Sequence, residues 1–578
     1  MSLRNRLVLL AFFIAVITAF AGCERQAADS QTGESAVATS TSESTTAAGS
    51  SSSTATDGGP NATAISIAPN PNPTVPLAAI LTLTTDTPVR VKLGFFDGNK
   101  NWVEDPKTEL ATSHTIPVIG MRPNRVHSIT AILTDDAGNS SETGAVVFTT
   151  PELPEAFPRP HVVVNEADKV EPGVTLFNVN GRWGSDGKQA PRGFGPAVIV
   201  DSEGETLWYY LPADHKAHDI KRLKNGNFLY EIWPGTGGMV EIDVLGNVIK
   251  RWHFTDTAKN PVEGSIPVDS GALHHDMIEL PNGNLLVMST EHRVYENWYT
   301  SSTDPDAPRQ TANLIGDEII EMKWDGTIVN KWQLFDIIDP YRIGHGSMRE
   351  DFWARHYDGV VEGAVYDWSH GNAIIYDESD NSFIMSMPYQ NVVAKISMTT
   401  GELVWLLGDP AGWKEPQKSK VLKPVGDVEW SYKHHAISPT GRGTYLLFDN
   451  GVDRVSPFQG DIMPLADSYS RAVEYAVNEE TMEVSQPWVY GPEQEQFYGR
   501  YLGDVDWQPN TGNILINVGA QETDAEGNNT PPGKAQRWAR FIEVTNGPNP
   551  EKVWEMQLKD DGLGWSVYRA ERMPSVYP

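Results

Sequence analysis

The sequence predicts an all-β protein, a six-bladed β-propeller preceded by a small β-sandwich. Three observations carry this prediction. A strand–turn–strand unit ending in tryptophan recurs six times, a second hairpin lies between consecutive copies, and a Thr/Val/Ile-rich segment with its own turn signals comes before them.

The chain of 578 residues opens with "MSLRNRLVLLAFFIAVITAFAGC". Arg4 and Arg6, then an apolar run, then small residues mark residues 1–22 as an export signal rather than a spanning helix. The ending "FAGC" resembles a bacterial lipobox, which would make Cys23 a lipidated mature N-terminus. Cys23 is the chain's only cysteine, so an intramolecular disulfide and a cysteine nucleophile are excluded. Residues 23–61 are a Ser/Thr/Ala/Gly tract that cannot bury a core and reads as a flexible tether. These features predict an exported protein, in the periplasm or on the cell surface, lipid-anchored to a bacterial membrane.

Residues 62–152 alternate apolar and polar positions, as in "AAILTLTTDTPVRVKLGFF" and "HSITAILTDDAG". Short strands with regular turn signals predict a sandwich of immunoglobulin or fibronectin type. The Pro-rich "TTPELPEAFPRP" reads as a linker.

The repeats occupy residues 160–578. "AVIVDSEGETLWYY", "MVEIDVLGNVIKRW", "IIEMKWDGTIVNKW", "VVAKISMTTGELVW", "AVEYAVNEETMEVSQPW" and "FIEVTNGPNPEKVW" close on Trp208, Trp252, Trp332, Trp405, Trp488 and Trp554. The intervening hairpins carry strong turn signals, as in "HDIKRLKNGNFLYEI" and "HDMIELPNGNLLVMS". Two hairpins make a four-stranded blade, giving five complete blades. The first tryptophan unit lacks a preceding hairpin and the chain end "GWSVYRAERMPSVYP" lacks a following one, so the two are expected to join as a sixth blade.

The net charge of −31 argues against a nucleic-acid ligand, because phosphate affinity comes from Lys and Arg. The informative polar residues sit elsewhere. In a propeller the innermost strands line a central channel, where residues distant in sequence meet. His218, His275, His370 and the pair His434–His435 all fall at or near the start of an inner strand, and the closing segments offer Asp504, Arg569 and Arg572. Imidazole serves as nucleophile, acid, base or metal ligand. No H-x-x-x-H or H-E-x-x-H spacing accompanies these histidines, and no G-x-S-x-G appears. A metalloenzyme and a non-catalytic surface binding protein both stay open at this point.

The motifs "HHDMIELPNGNLLVM", "DWSHGNAIIYDESDNSFIMS", "VVAKISMTTGELVWLLGDPAGW", "HHAISPTGRGTYLLFDNG" and "VYRAERM", taken in order, resemble the bacterial aryl-sulfate sulfotransferases. The resemblance implies sulfuryl transfer from an aryl sulfate ester to a phenolic acceptor, without a nucleotide donor or other cofactor, through a sulfohistidine. It implies His435 as nucleophile, with His370 and His275 as catalytic partners. Asn372, His274, His434 and Tyr389 are expected to contact substrate. Trp368 or Tyr389 would stack on the aryl ring. Two departures stand out. His434 takes the place of the family's usual Gln, and the strand after D-W-x-H-x-N, "SMPYQNVVAKI", lacks the family's sulfate-binding arginine. Arg569 and Arg572 are the candidates to replace that cation. No metal is expected, and a homodimer is compatible with the sequence.

Overall fold

The computed structural model describes residues 59–182, 194–213, 215–233, 238–532, 534–560 and 564–578. The expected signal segment 1–22, Cys23 and the tether up to residue 58 lie outside the described residues.

The N-terminal strands are organised by one long strand, Ala79–Phe96. Its first half pairs with Ala62–Pro69 and Ala111–Val118, its second with Asn101–Glu104 and Val126–Asp135. Alternation along it buries Leu81, Leu83, Val89, Val91, Leu93 and Phe95 while their neighbours face outward. This immunoglobulin-like part shares a core with the propeller rather than hanging from a linker. Leu81 and Val91 belong to one apolar cluster with Trp208, Tyr230 and Tyr577. Tyr577 Oη accepts from the Ile119 amide at 3.0 Å, and Arg122 pairs with Asp201 at 2.7 Å.

Six blades follow. In each complete blade the chain runs from the channel outward: Lys216–Arg222 to Val248–Phe254, Met277–Glu279 to Ile328–Gln333, Ala373–Asp377 to Leu403–Gly408, His435–Pro439 to Glu483–Tyr490, and Asp504–Trp507 to Lys552–Leu558. The last of these gains an outer strand, His161–Asn165. The six closing tryptophans are all buried. Three of them also bond onward to the next blade. Trp208 Nε1 donates to the Val244 carbonyl, Trp405 Nε1 to Glu479 and Trp554 Nε1 to the Ser202 carbonyl. In these three the indole fills a blade core and satisfies its one donor at a seam.

The sixth blade closes the ring from both ends of the repeat region, in a different ratio from the expected two hairpins. Only Ala570–Met573 comes from the C-terminus, as the innermost strand, and it pairs with Val174–Asn178, followed by Ala197–Val200 and Thr206–Tyr210. The other C-terminal strand, Gly564–Ser566, pairs with Asn180–Arg182 in a separate ribbon.

Candidate active site

A backbone irregularity aims the histidines. At the start of each histidine-bearing inner strand one residue adopts a left-handed conformation: Asp219 (φ 44°), His275 (φ 59°), His370 (φ 51°) and Ala436 (φ 55°). The ladder slips at the same places, between His218 and Lys221 and between His435 and Ser438. Such backbone costs about 1 kcal/mol or more per residue and persists where surrounding packing enforces it. Here it turns imidazoles off the sheet and toward the axis.

His218, His275, His370 and His435 line one cavity of about 390 Å³ at the channel mouth. Trp233, Phe352, Tyr389, Tyr501 and Tyr568 complete its walls. The rings pack in mixed geometries, edge to face for His275 on His370 and tilted for His218 on Tyr568. His275 and His370 have centroids 4.8 Å apart, and the ring of His218 lies 4.5 Å from that of Tyr568. Tyr389 stacks on His370 at 4.5 Å with planes 13° apart.

Each imidazole has one ring nitrogen held by the scaffold. His370 Nδ1 lies 2.6 Å from Asp367, and His218 Nδ1 lies 2.9 Å from Glu231, its direct partner across the hairpin. His275 Nδ1 meets His274 Nδ1 at 2.9 Å, and His274 Nε2 lies 3.2 Å from Asp317. Burial disfavours charge on His274, yet its bond and attraction to Asp317 prevail and raise its pKa. The raised pKa favours the imidazolium of His274, the form that donates from Nδ1 to His275 Nδ1 and leaves His275 with its proton on Nε2. Burial, then the neighbouring histidines, hold His275 itself neutral.

His435 is different. Its Nδ1 bonds to a neutral amide oxygen, Asn450 Oδ1, at 2.8 Å. The Asn450 amide nitrogen donates to the carbonyls of Gly499 (2.7 Å) and Leu502 (2.8 Å), which fixes the oxygen toward the ring. The proton must then sit on Nδ1. Nε2 keeps its lone pair and accepts only a long contact from the Leu502 amide, at 3.3 Å. Burial, reinforced by the charges of His370, His434 and Arg569, pushes the His435 pKa down to about 3.

Several sequence-predicted residues lie elsewhere. His434 points to the opposite side of its strand, fully buried, with Nδ1 on Ser386 Oγ at 2.8 Å. His274 stands behind His275 and does not line the cavity. The Asn372 side-chain amide donates to the His434 carbonyl, so it ties two blades together below the site. Trp368 is fully buried, with its indole N–H on the Arg342 carbonyl. The expected sulfate contacts from His434, His274 and Asn372, and stacking by Trp368, are therefore corrected, whereas Tyr389 does line the cavity.

The two arginines are also corrected. Arg572 is 3.0 Å from Glu543 and caps the Glu171 carbonyl, pinning the closing strand. Arg569 bridges Asp276 (2.9 Å) and Asp219 (3.5 Å), and faces a second cavity on the far side of Tyr568, with Asp504 and Asp506. The cations that do line the histidine cavity are Arg349, Arg355, Lys433, Arg500 and Arg537. They come from loops, from the short helix Ala354–Tyr357 in the case of Arg355, and from the start of the strand Gln536–Val544 in the case of Arg537, where no repeat announces them. Glu231 and Asn450 were likewise missed, although each lies one strand over from a named histidine. Among the described residues no three His, Cys, Asp or Glu side chains are grouped as a metal-ligand set.

The family model for arylsulfotransferase (ASST) matches residues 161–569, and that for the arylsulfotransferase Ig-like domain matches residues 66–151. The chain belongs to the arylsulfotransferase family. It is 26% identical to arylsulfate sulfotransferase AssT of Lelliottia amnigena over 526 residues, covering 77% of this chain and 83% of that one. It is 28% identical to AssT of Escherichia coli O6:H1 over 356 residues, covering 54% of this chain and 55% of that one. Among solved structures, a protein of unknown function from Bacteroides caccae aligns with TM-score 0.36 at 14% identity, covering 69% of this chain and 99% of that chain, a likeness too loose to bear on the chemistry.

Proposed function

We propose that this arylsulfotransferase-family chain moves a sulfuryl group from an aryl sulfate ester to a phenol by a ping-pong route through His435, with no nucleotide donor. The observation that carries the reading is the contrast between amide-backed His435 and its carboxylate-backed neighbours. One imidazole is kept neutral with a free Nε2 lone pair, while His370 and His218 face the same cavity against Asp367 and Glu231. A nucleophile and proton-holding groups are thereby separated by their partners.

In the first half-reaction His435 Nε2 attacks sulfur and the S–O bond to the aryl oxygen breaks. The departing oxygen takes a proton from an imidazolium, His370 being placed for this. The three sulfuryl oxygens, carrying spread negative charge, are met by the Nε2–H of His275 and by the proton-bearing rings. His435 becomes an N-sulfo imidazolium whose Nδ1–H stays on Asn450. In the second half-reaction a phenol gives its proton to the now neutral His370 and its oxygen attacks sulfur. The S–N bond breaks and Nε2 recovers its lone pair. Attack requires the 3.3 Å contact from the Leu502 amide to open. The aromatic walls suit a flat aryl group, and a phenol with pKa near 10 leaves more readily than an alcohol.

The deciding experiment is colour release from 4-nitrophenyl sulfate with and without added phenol. A single burst without acceptor, turnover with it, and parallel reciprocal plots support the reading. Sequential kinetics with no burst defeat it. Export and a lipid anchor at Cys23 belong to the same proposal. Incorporation of labelled palmitate that is lost in Cys23→Ser is the matching test.

A further inference from the structure

Ring contacts order the cavity lining into a histidine floor, an aromatic belt and a cationic rim along two lines, His218–Trp233–Arg355 and His370–Tyr389–Lys433. Three of the five rim cations lie over belt rings: Arg355 over Trp233 at 5.2 Å, Lys433 over Tyr389 at 5.8 Å, and Arg537 over Tyr501 at 5.2 Å. Carboxylates answer some of this charge. Asp351 chelates Arg349, Asp453 holds Lys433 at 2.7 Å, and Glu522 pairs with Arg537. Arg355 and Arg500 have no ion-pair partner among the described residues, and both side chains are exposed at the mouth. Among the described residues the acids lining the cavity are Asp351, already on Arg349, and Glu231, already on His218.

This pattern runs against the rest of the molecule. The chain carries 76 acidic and 45 basic residues, so a mouth with cations in excess is not a sample of the average surface. Like charges placed together at a rim disfavour one another, and burial together with Arg349 and Arg500 works against the charge on Lys433, overcoming Asp453 to lower its pKa. Cations held in that arrangement are relieved by an anion. A sulfate ester against His218 and His370 has the Trp233 ring between it and Arg355 and the Tyr389 ring between it and Lys433, which leaves those cations open to another anion. The ligand must present a second negative group at the far end of its ring.

We infer that the site takes aryl sulfates bearing a second anionic group, a carboxylate or a further sulfate, distal to the transferred one, with Arg355 and Arg500 as its specificity-determining contacts. The inference rests on the sulfuryl-transfer reading for which end of the ligand lies deep. Its test is made on binding so that the two can fail separately. The probes are 4-carboxyphenyl sulfate and its methyl ester, which differ by one charge at the distal position. Their dissociation constants are measured by calorimetry on His435→Ala, and on His435→Asn should the first variant not fold. The carboxylate is expected to bind about tenfold tighter at low salt, the scale of two favourable contacts between exposed charges. The advantage should shrink with added salt, and Arg355→Gln with Arg500→Gln should bring the ratio close to one. Equal binding of the two esters, or a preference that survives both substitutions, overturns the inference even if 4-nitrophenyl sulfate is turned over. A lost preference in the double variant upholds it even if no ester is turned over.

Discussion

His435 Nδ1 lies 2.8 Å from Asn450 Oδ1, and the Asn450 amide nitrogen is anchored on two backbone carbonyls. This relationship sets which nitrogen of the ring carries the proton. Asn450→Ala should lower kcat about 10–100-fold, the scale of losing an outer partner that orients a reacting group. Asn450→Asp is the more telling variant. A carboxylate there favours the imidazolium, so an acid limb should enter the kcat/KM profile between pH 5 and 8. An Asp variant with an unchanged pH profile would show that Asn450 does not govern His435.

The adjacent histidines separate cleanly by orientation. His435→Ala should abolish transfer and leave thermal unfolding cooperative, because one side chain at a cavity wall does not hold the six-blade core. His434→Gln should keep activity and a trappable adduct, since its ring bonds to Ser386 away from the cavity. Neutral or alkaline quenching followed by peptide mass spectrometry reads the result. An SO3 adduct that survives in His435→Ala would move the nucleophile to another residue.

Arg572 is a pin rather than a ligand. Replacing it with methionine leaves Glu543 buried without its cation, which costs about 3–5 kcal/mol. The melting temperature should fall and KM for 4-nitrophenyl sulfate should not change. A raised KM at unchanged stability would return Arg572 to substrate binding.

Acid should unfold the protein through its neutral histidines. Burial pushes His434 down to about 4 and His435 down to about 3, whereas an unfolded histidine titrates near 6.5. Between those values the unfolded chain binds more protons, so stability rises with pH and is lost on acidification below about 6.5. Each of the two contributes a loss of about 2 kcal/mol at pH 5. Denaturant midpoints measured from pH 7.5 to 5 check this. His435→Ala should flatten the slope, and a slope unchanged by the substitution would contradict the depressed value.

The sequence by itself determined the architecture and the floor of the site. Six tryptophan units and their intervening hairpins specify six blades, because a repeated unit with a buried indole has one economical way to close. The same repetition put His218, His275, His370 and His435 at equivalent strand starts, and equivalence in a propeller means convergence at the axis. Only the tertiary structure decided which members of each motif reach the cavity. A slipped ladder and a single left-handed residue reverse the facing of a side chain, and neither leaves a mark in residue spacing. That is why His274, His434 and Asn372 could not be separated from their neighbours by reading. The partners that set protonation, Asn450, Glu231 and Asp317, lie one or more strands away from the rings they hold. The rim cations come from loops, a short helix and one strand end, all outside the tryptophan units. Arg569 and Arg572 were legible as channel charges, but their counter-ions came from other blades, and a charge already paired in the core cannot serve a substrate.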